Sequence, residues 1–144
     1  MALPFRALVA GMLACVWLMS AAADDNPLVA ERWRTRPFVV VVPAADDPML
    51  ARVEAALRSE TTRAGFAERE MVLYKVVAGA GSREGRPLAA SETRALLGAL
   101  GVSATGPATA FLVGLDGGVK IRERGSVSLD GVFAAIDQMP MRRR

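Results

Sequence analysis

Asp46 and Asp47 are the one acidic pair in this chain that sits just beyond the carboxyl end of a strand-like run. Ligands of open α/β sheets gather at such ends, so chemistry is sought there first. The run, residues 37–42, reads Pro-Phe-Val-Val-Val-Val, and Pro43-Ala44-Ala45 separate it from the two carboxylates. Asp47 stands before Pro48 and has the form of a helix cap. The sharper reading is a pair that holds a hard cation or a basic group of a peptide. Calcium takes about six to eight oxygens, and two side chains fall short of that. A carboxylate enzyme, with Tyr74 as a further group, is the catalytic alternative.

The absences narrow the field. The chain has no histidine and one cysteine, Cys15. No imidazole is present for general-base work near neutral pH, and zinc and copper sites lack their usual ligands. Met139 and Met141 are soft enough for copper(I), but two methionines beside a helix end read as packing. Gly79, Gly81 and Gly85 imitate a dinucleotide loop, yet Pro87 intervenes before a helix near Ser91. Phosphate binding needs backbone N–H groups at a helix start directly behind the glycines, so 78–90 reads as an irregular surface loop. No cofactor and no metal site is expected. Sixteen of the 18 basic residues are arginine, interleaved with 15 acidic ones. No nucleic-acid stripe results, and only Arg142, Arg143 and Arg144 cluster. These three are candidate contacts for an anionic membrane surface, at roughly 1 kcal/mol each before screening.

Residues 1–23 have the form of a cleavable signal peptide. Arg6 gives a positive start, 7–19 an apolar stretch, and Ala21-Ala22-Ala23 small residues at the cleavage positions. The alternative is a membrane anchor that is never removed, for which the stretch is short, since a span takes about 20 apolar residues. A periplasmic or secreted protein follows, whose mature chain has no cysteine and so no disulfide.

The elements that must position these groups read in order. Residues 24–35 are a lead-in, where Asn26 and Pro27 start a short helix with Leu28, Val29 and Trp33 on one side, Trp33 packing over the first strand or stacking on a ligand. Strand 37–42 follows, then a helix from Asp47-Pro48 with Met49, Leu50, Val53, Ala56 and Leu57 on one face. Gly65 marks the end of that helix or of a broken extension. Residues 71–77 form a second strand. Ser91 caps a helix with Leu96, Leu97 and Leu100, and Gly101 stops it. Runs 108–114 and 119–123 flank Asp116-Gly117, a hairpin signal; Lys120, Arg122 and Arg124 guard the outer arm. Ser128 caps the last helix, with Leu129, Val132, Phe133 and Ile136 inward, and Pro140 ends it.

This order, β-α-β-α-β-β-α, is the thioredoxin-like layout: an α/β fold with a mixed sheet of about four strands and flanking helices, spanning 36–139 before a basic tail, 140–144. Leu100-Gly101-Val102, Gly106-Pro107-Ala108-Thr109, Phe111-Leu112-Val113 and Asp116-Gly117-Gly118 resemble the later half of thioredoxins. That resemblance makes Pro107 the candidate for the cis-proline facing the active site, although Ala108 stands where threonine usually follows. Four further blocks are spread over nearly the whole mature chain: Trp33-Arg34-x-Arg36-Pro37, Glu68-Arg69-Glu70-Met71-Val72-Leu73, Gly114-x-Asp116-Gly117-Gly118-Val119-Lys120, and Ile136-Asp137-x-Met139-Pro140-Met141-Arg142. They resemble an uncharacterised thioredoxin-like family of small exported bacterial proteins. They are also similar to the C-terminal domain of sushi-repeat-containing extracellular proteins. The resemblance implies a fold and an exported setting, and supplies no catalytic residues.

Thioredoxins keep their thiols where this chain has Ala44-Ala45-Asp46-Asp47, so thiol–disulfide exchange is excluded for a mature chain without sulfur nucleophiles. The expectation is a non-catalytic module that binds a periplasmic or extracellular protein or peptide. Its candidate groove lies between Ala44, Asp46 and Asp47 and the turn at Gly106 and Pro107. The alternatives are the carboxylate enzyme and a structural envelope protein that meets anionic surfaces through its basic tail.

Overall fold

The computed structural model describes residues 25–140. The signal-like segment with Cys15, and Met141, Arg142, Arg143 and Arg144, lie outside the described residues. At the centre is β1, Arg36–Val42, buried along its whole length. Its β-branched run suits a strand covered on both faces. It pairs in parallel with β2, Met71–Val77. On its other side it pairs antiparallel with β5, Thr109–Val113, which pairs antiparallel with β6, Val119–Arg124. These are the four strands expected, and the β-α-β-α-β-β-α order is contained in the observed one.

The sheet nevertheless has six strands, in the order β4-β3-β2-β1-β5-β6. The segment expected to be an irregular loop forms β3, Ala80–Arg83, and β4, Arg86–Pro87. Ala78 and Gly79 have φ of 49° and 82°, and Glu84 and Gly85 have φ of 47° and 79°. Positive φ at both central residues makes two-residue turns of the type whose twist suits hairpins. The usual Asn-Gly or Asp-Gly signal is absent, since the pairs are Ala-Gly and Glu-Gly. Gly81 is buried, and a Cβ there would overlap Thr93 Oγ1 and crowd Leu88. That glycine admits a helix close to the strand; it does not cradle a phosphate.

Among the described residues five helices cover the sheet: α1, Leu28–Glu31; α2, Pro48–Leu57; α3, Glu60–Glu68; α4, Ala90–Leu100; and α5, Leu129–Asp137. Asp47 Oδ1 accepts from Met49 N at 2.9 Å and Ser128 Oγ from Gly131 N at 3.2 Å, so both expected caps are in place. Ser91 is not a cap. The helix starts at Ala90, where Glu92 Oε1 reaches back to Ala89 N at 3.0 Å. Gly101 ends α4 with φ of 64°. Gly65 lies within α3, and a Cβ there would stand 2.8 Å from Phe133 Cε2. The break that it was expected to mark falls between α2 and α3, where Arg63 Nη1 donates to the carbonyls of Leu57 and Arg58 at 3.0 and 2.8 Å. Those carbonyls end a helix and need such donors.

Side chains of β1 alternate between two cores. Phe38, Val40 and Val42 meet Met49, Leu50, Val53, Phe66, Val132 and Ile136 beneath α2, α3 and α5. Val39 and Val41 meet Leu28, Tyr74, Leu96, Leu100 and Phe111 beneath α1 and α4. The lead-in thus contributes Leu28 to the packed body. Overpacking typically costs about 1–3 kcal/mol. Gly81→Ala is expected to destabilise by that amount in urea unfolding, and Gly79→Ala, with open space around it, through its backbone alone.

Candidate functional site

The register of Val41 on Thr109 brings the loop after β1 and the segment before β5 to one end of the sheet. Ala44, Asp46, Asp47, Gly106 and Pro107 therefore gather there. The Asp47 carboxylate is committed to the α2 cap, which leaves Asp46 as the exposed carboxylate of the pair. Gly106 N bonds Ser103 O at 3.3 Å, and Pro107 O accepts from Thr109 Oγ1 at 2.9 Å. No peptide bond among the described residues is cis, so Pro107 is not the cis-proline that the resemblance suggested. Among the described residues no group of three or more carboxylates, thiols or imidazoles is placed to hold a metal ion.

A second constellation lies under α1. Glu31, 6% exposed, accepts from Tyr74 Oη at 2.8 Å, Arg83 Nε at 2.5 Å and Thr35 Oγ1 at 2.5 Å. These groups line part of a cleft of about 560 Å3 that Arg34, Leu88 and Glu92 also border. Burial pushes the Glu31 carboxyl up, but the hydrogen bonds from Arg83, Thr35 and Tyr74 outweigh it, and its pKa lies below the ordinary 4.5. Burial, then the bond to Glu31, pushes the Tyr74 phenol well above its usual range. Tyr74, named as a catalytic alternative, is thus a protonated donor near neutral pH, and Glu31 is an ionised acceptor with its donors in place. The arrangement fixes α1 to β2 and β3; it has no proton poised to move. Sequence reasoning missed Glu31 and Arg83. Glu31 follows the buried Leu28 by one helical turn, which places it on the same face; that was the available signal. Arg83 lay in the segment read as a loop.

The third constellation is at the amino end of β1, and the four blocks of the family resemblance converge on it. Trp33 does not pack over the first strand. It is 64% exposed. Helix α1 is one turn long, and Trp33 follows it with φ of 62°, a left-handed conformation that costs a non-glycine residue about 1–3 kcal/mol. Its N–H donates to Leu115 O at 2.7 Å, which ties that turn to the β5–β6 hairpin. The side chain borders a cleft of about 400 Å3 lined also by Arg36, Leu115, Lys120, Met139 and Pro140.

The surrounding charges hold this end together. Arg36, 3% exposed, donates from Nη1 to Arg69 O at 2.9 Å and lies 3.9 Å from the Glu70 carboxylate. Arg69 makes a two-pronged pair with Asp137, at 3.0 and 2.9 Å, and its guanidinium stands 4.4 Å from the Phe133 ring centroid. That joins the end of α3 to the end of α5. In the hairpin, Asp116 accepts from Gly118 N at 2.9 Å and from Lys120 Nζ at 2.8 Å, and these bonds, the Lys120 one foremost, hold its carboxyl below the usual range. Gly117 has φ of 84°, and the Arg32 side chain crosses it so closely that a Cβ would meet Nε at 2.6 Å.

A parallel β-α-β half and an antiparallel hairpin sharing one sheet, with no histidine in the chain and its one cysteine outside the fold described, define an α/β domain without thiol or imidazole chemistry. The chain belongs to the DUF4174 family, a domain of unknown function, which matches residues 27–144. No curated protein and no solved structure matches it. Among the described residues no helix is long and apolar enough to cross a membrane.

The depressed Glu31 pKa makes a prediction about acid. A carboxylate with a lowered folded pKa contributes stability that is present above its unfolded value and lost as pH falls through the folded one. Unfolding free energy is expected to fall as pH drops below about 4.5. Glu31→Gln should cost about 2 kcal/mol at pH 7, less than a fully buried pair because Arg83 is half-exposed, and should flatten that acid limb in a urea–pH series.

Proposed function

We propose that this protein is an exported, non-catalytic module that binds an extended segment of a protein or peptide at the Trp33 end of its sheet. The observation that carries the reading is Trp33 itself. A large aromatic is held exposed, in a costly backbone conformation, beside an apolar cleft. Strain of this kind persists where surrounding structure enforces it, and it concentrates at ligand sites. Tryptophan is also among the residues that most often dominate binding energy. The form of residues 1–23 supports export, as does the resemblance to exported thioredoxin-like proteins. The carboxylate-enzyme alternative draws no support from Asp46 and Asp47, one of which is spent as a cap, or from Tyr74, which is held protonated.

Trp33 is also the reporter. In the full chain carrying Trp17→Phe it is the only tryptophan. Peptides selected from a displayed random library are expected to shift its emission to the blue as they cover it. Trp33→Ala should weaken them about thirtyfold, the size of a hot-spot loss. Asp46→Ala and Pro107→Ala should leave affinity unchanged. Peptides that bind Trp33→Ala as well as the parent, but lose affinity to Asp46→Ala or Pro107→Ala, would move the site to the opposite end of the sheet.

A further inference from the structure

The two edges of the sheet are built differently. One is β4, two residues long and containing Pro87, which has no N–H to offer. The other is β6, six residues long, with every residue exposed or half-buried. Arg122 and Arg124 lie on one face of β6, opposite Phe111 and Thr109 and about 7 Å apart, while a register shift between Val119 and Ile121 interrupts the alternation at Lys120. Ile121, on the opposite face, packs on the core beneath α2, α3 and α5. Across the sheet, Arg122 faces Phe111 and Arg124 faces Thr109, so neither meets an acid on its inner side. The Arg122 guanidinium stands 5.3 Å from the Phe111 ring centroid. Lys120 is paired with Asp116, whereas Arg122 and Arg124 make no ion pair with another described residue.

A second copy of the chain does not suit this edge. In a symmetric antiparallel extension the two-fold axis is normal to the sheet, so each residue meets one of its own parity on the same face. In registers that overlap these residues, Arg122 and Arg124 would then meet themselves or each other, and like charges directly opposite are destabilising. Acidic side chains at alternate positions of an extended chain have the matching spacing and the opposite sign.

We propose that β6 accepts an acidic extended segment of a partner protein as an added strand. Backbone hydrogen bonds to the open edge would give affinity, and alternate Asp or Glu side chains beside Arg122 and Arg124 would set register and choice of partner. The inference rests on the binding-module reading but not on the Trp33 cleft, and the two fail separately.

The probe is a labelled synthetic peptide of alternating glutamate and valine, used with the full chain. It is expected to bind and to slow hydrogen exchange at the β6 amides. Arg124→Glu, which leaves the Arg122–Phe111 contact alone, should weaken binding about tenfold, with far-UV circular dichroism unchanged. A lysine–valine peptide should bind the Arg122→Glu/Arg124→Glu chain better than the parent. Trp33→Ala should leave the glutamate–valine affinity as it was. Three results would each overturn the proposal: unaltered exchange at β6; equal binding of a peptide N-methylated along the edge-facing amides, which means charge alone; or phosphatidylglycerol vesicles that bind the parent chain and lose the Arg124→Glu chain just as the peptide does, which means an anionic surface.

Discussion

Burial of β1 on both faces is the constraint on which the remaining structure depends. Each Val or Phe side chain taken from water contributes about 1.5–3 kcal/mol, and a strand with no polar face can realise that only between two layers. Phe38, Val40 and Val42 require the α2, α3 and α5 layer; Val39 and Val41 require α1 and α4. Parallel pairing with β2 then needs a crossover, which α2 and α3 supply, and antiparallel pairing of β5 with β6 needs only the five-residue turn, 114–118, between them. The fold is the solution that gives every face of one hydrophobic strand a cover.

That central strand has two ends of unlike character. At its carboxyl end the loop closes with an aspartate cap, and the neighbouring segment turns on a trans proline. At its amino end Arg36 is buried beside the Arg69 carbonyl, Arg69 bridges to Asp137, and Trp33 is turned outward. A buried guanidinium is costly to desolvate and is kept only where hydrogen bonds satisfy it. The investment of charge, aromatic surface and backbone strain is therefore at the end opposite to the one where open α/β sheets usually hold ligands.

What could be read from the sequence was what local physics decides. The β-branched runs gave β1, β2 and β5, Asp116-Gly117 gave the hairpin, and Asp47-Pro48, Ser128 and Gly101 gave helix ends. Strands β3 and β4 were hidden because their turns use Ala-Gly and Glu-Gly, which lack the side-chain chemistry that advertises a hairpin. Trp33 was misjudged because a helix read as continuing through it stops at Glu31, and a left-handed residue then reverses the side-chain direction. The gathering of Ala44, Asp46, Asp47, Gly106 and Pro107 at one end was legible, since it follows from strand register. The meeting of Trp33, Arg36, Lys120 and Met139 was not, because it depends on where α1, the hairpin and the end of α5 pack; only the four resemblance blocks marked those residues as a set.

The measurement that most directly tests the primacy of β1 is native-state hydrogen exchange followed residue by residue in low denaturant. Amides of residues 38–42 are expected to exchange only with the free energy and denaturant slope of global unfolding, while β6 and β3 open earlier. Exchange of residues 38–42 through a local opening, as fast as that of β6, would contradict the account.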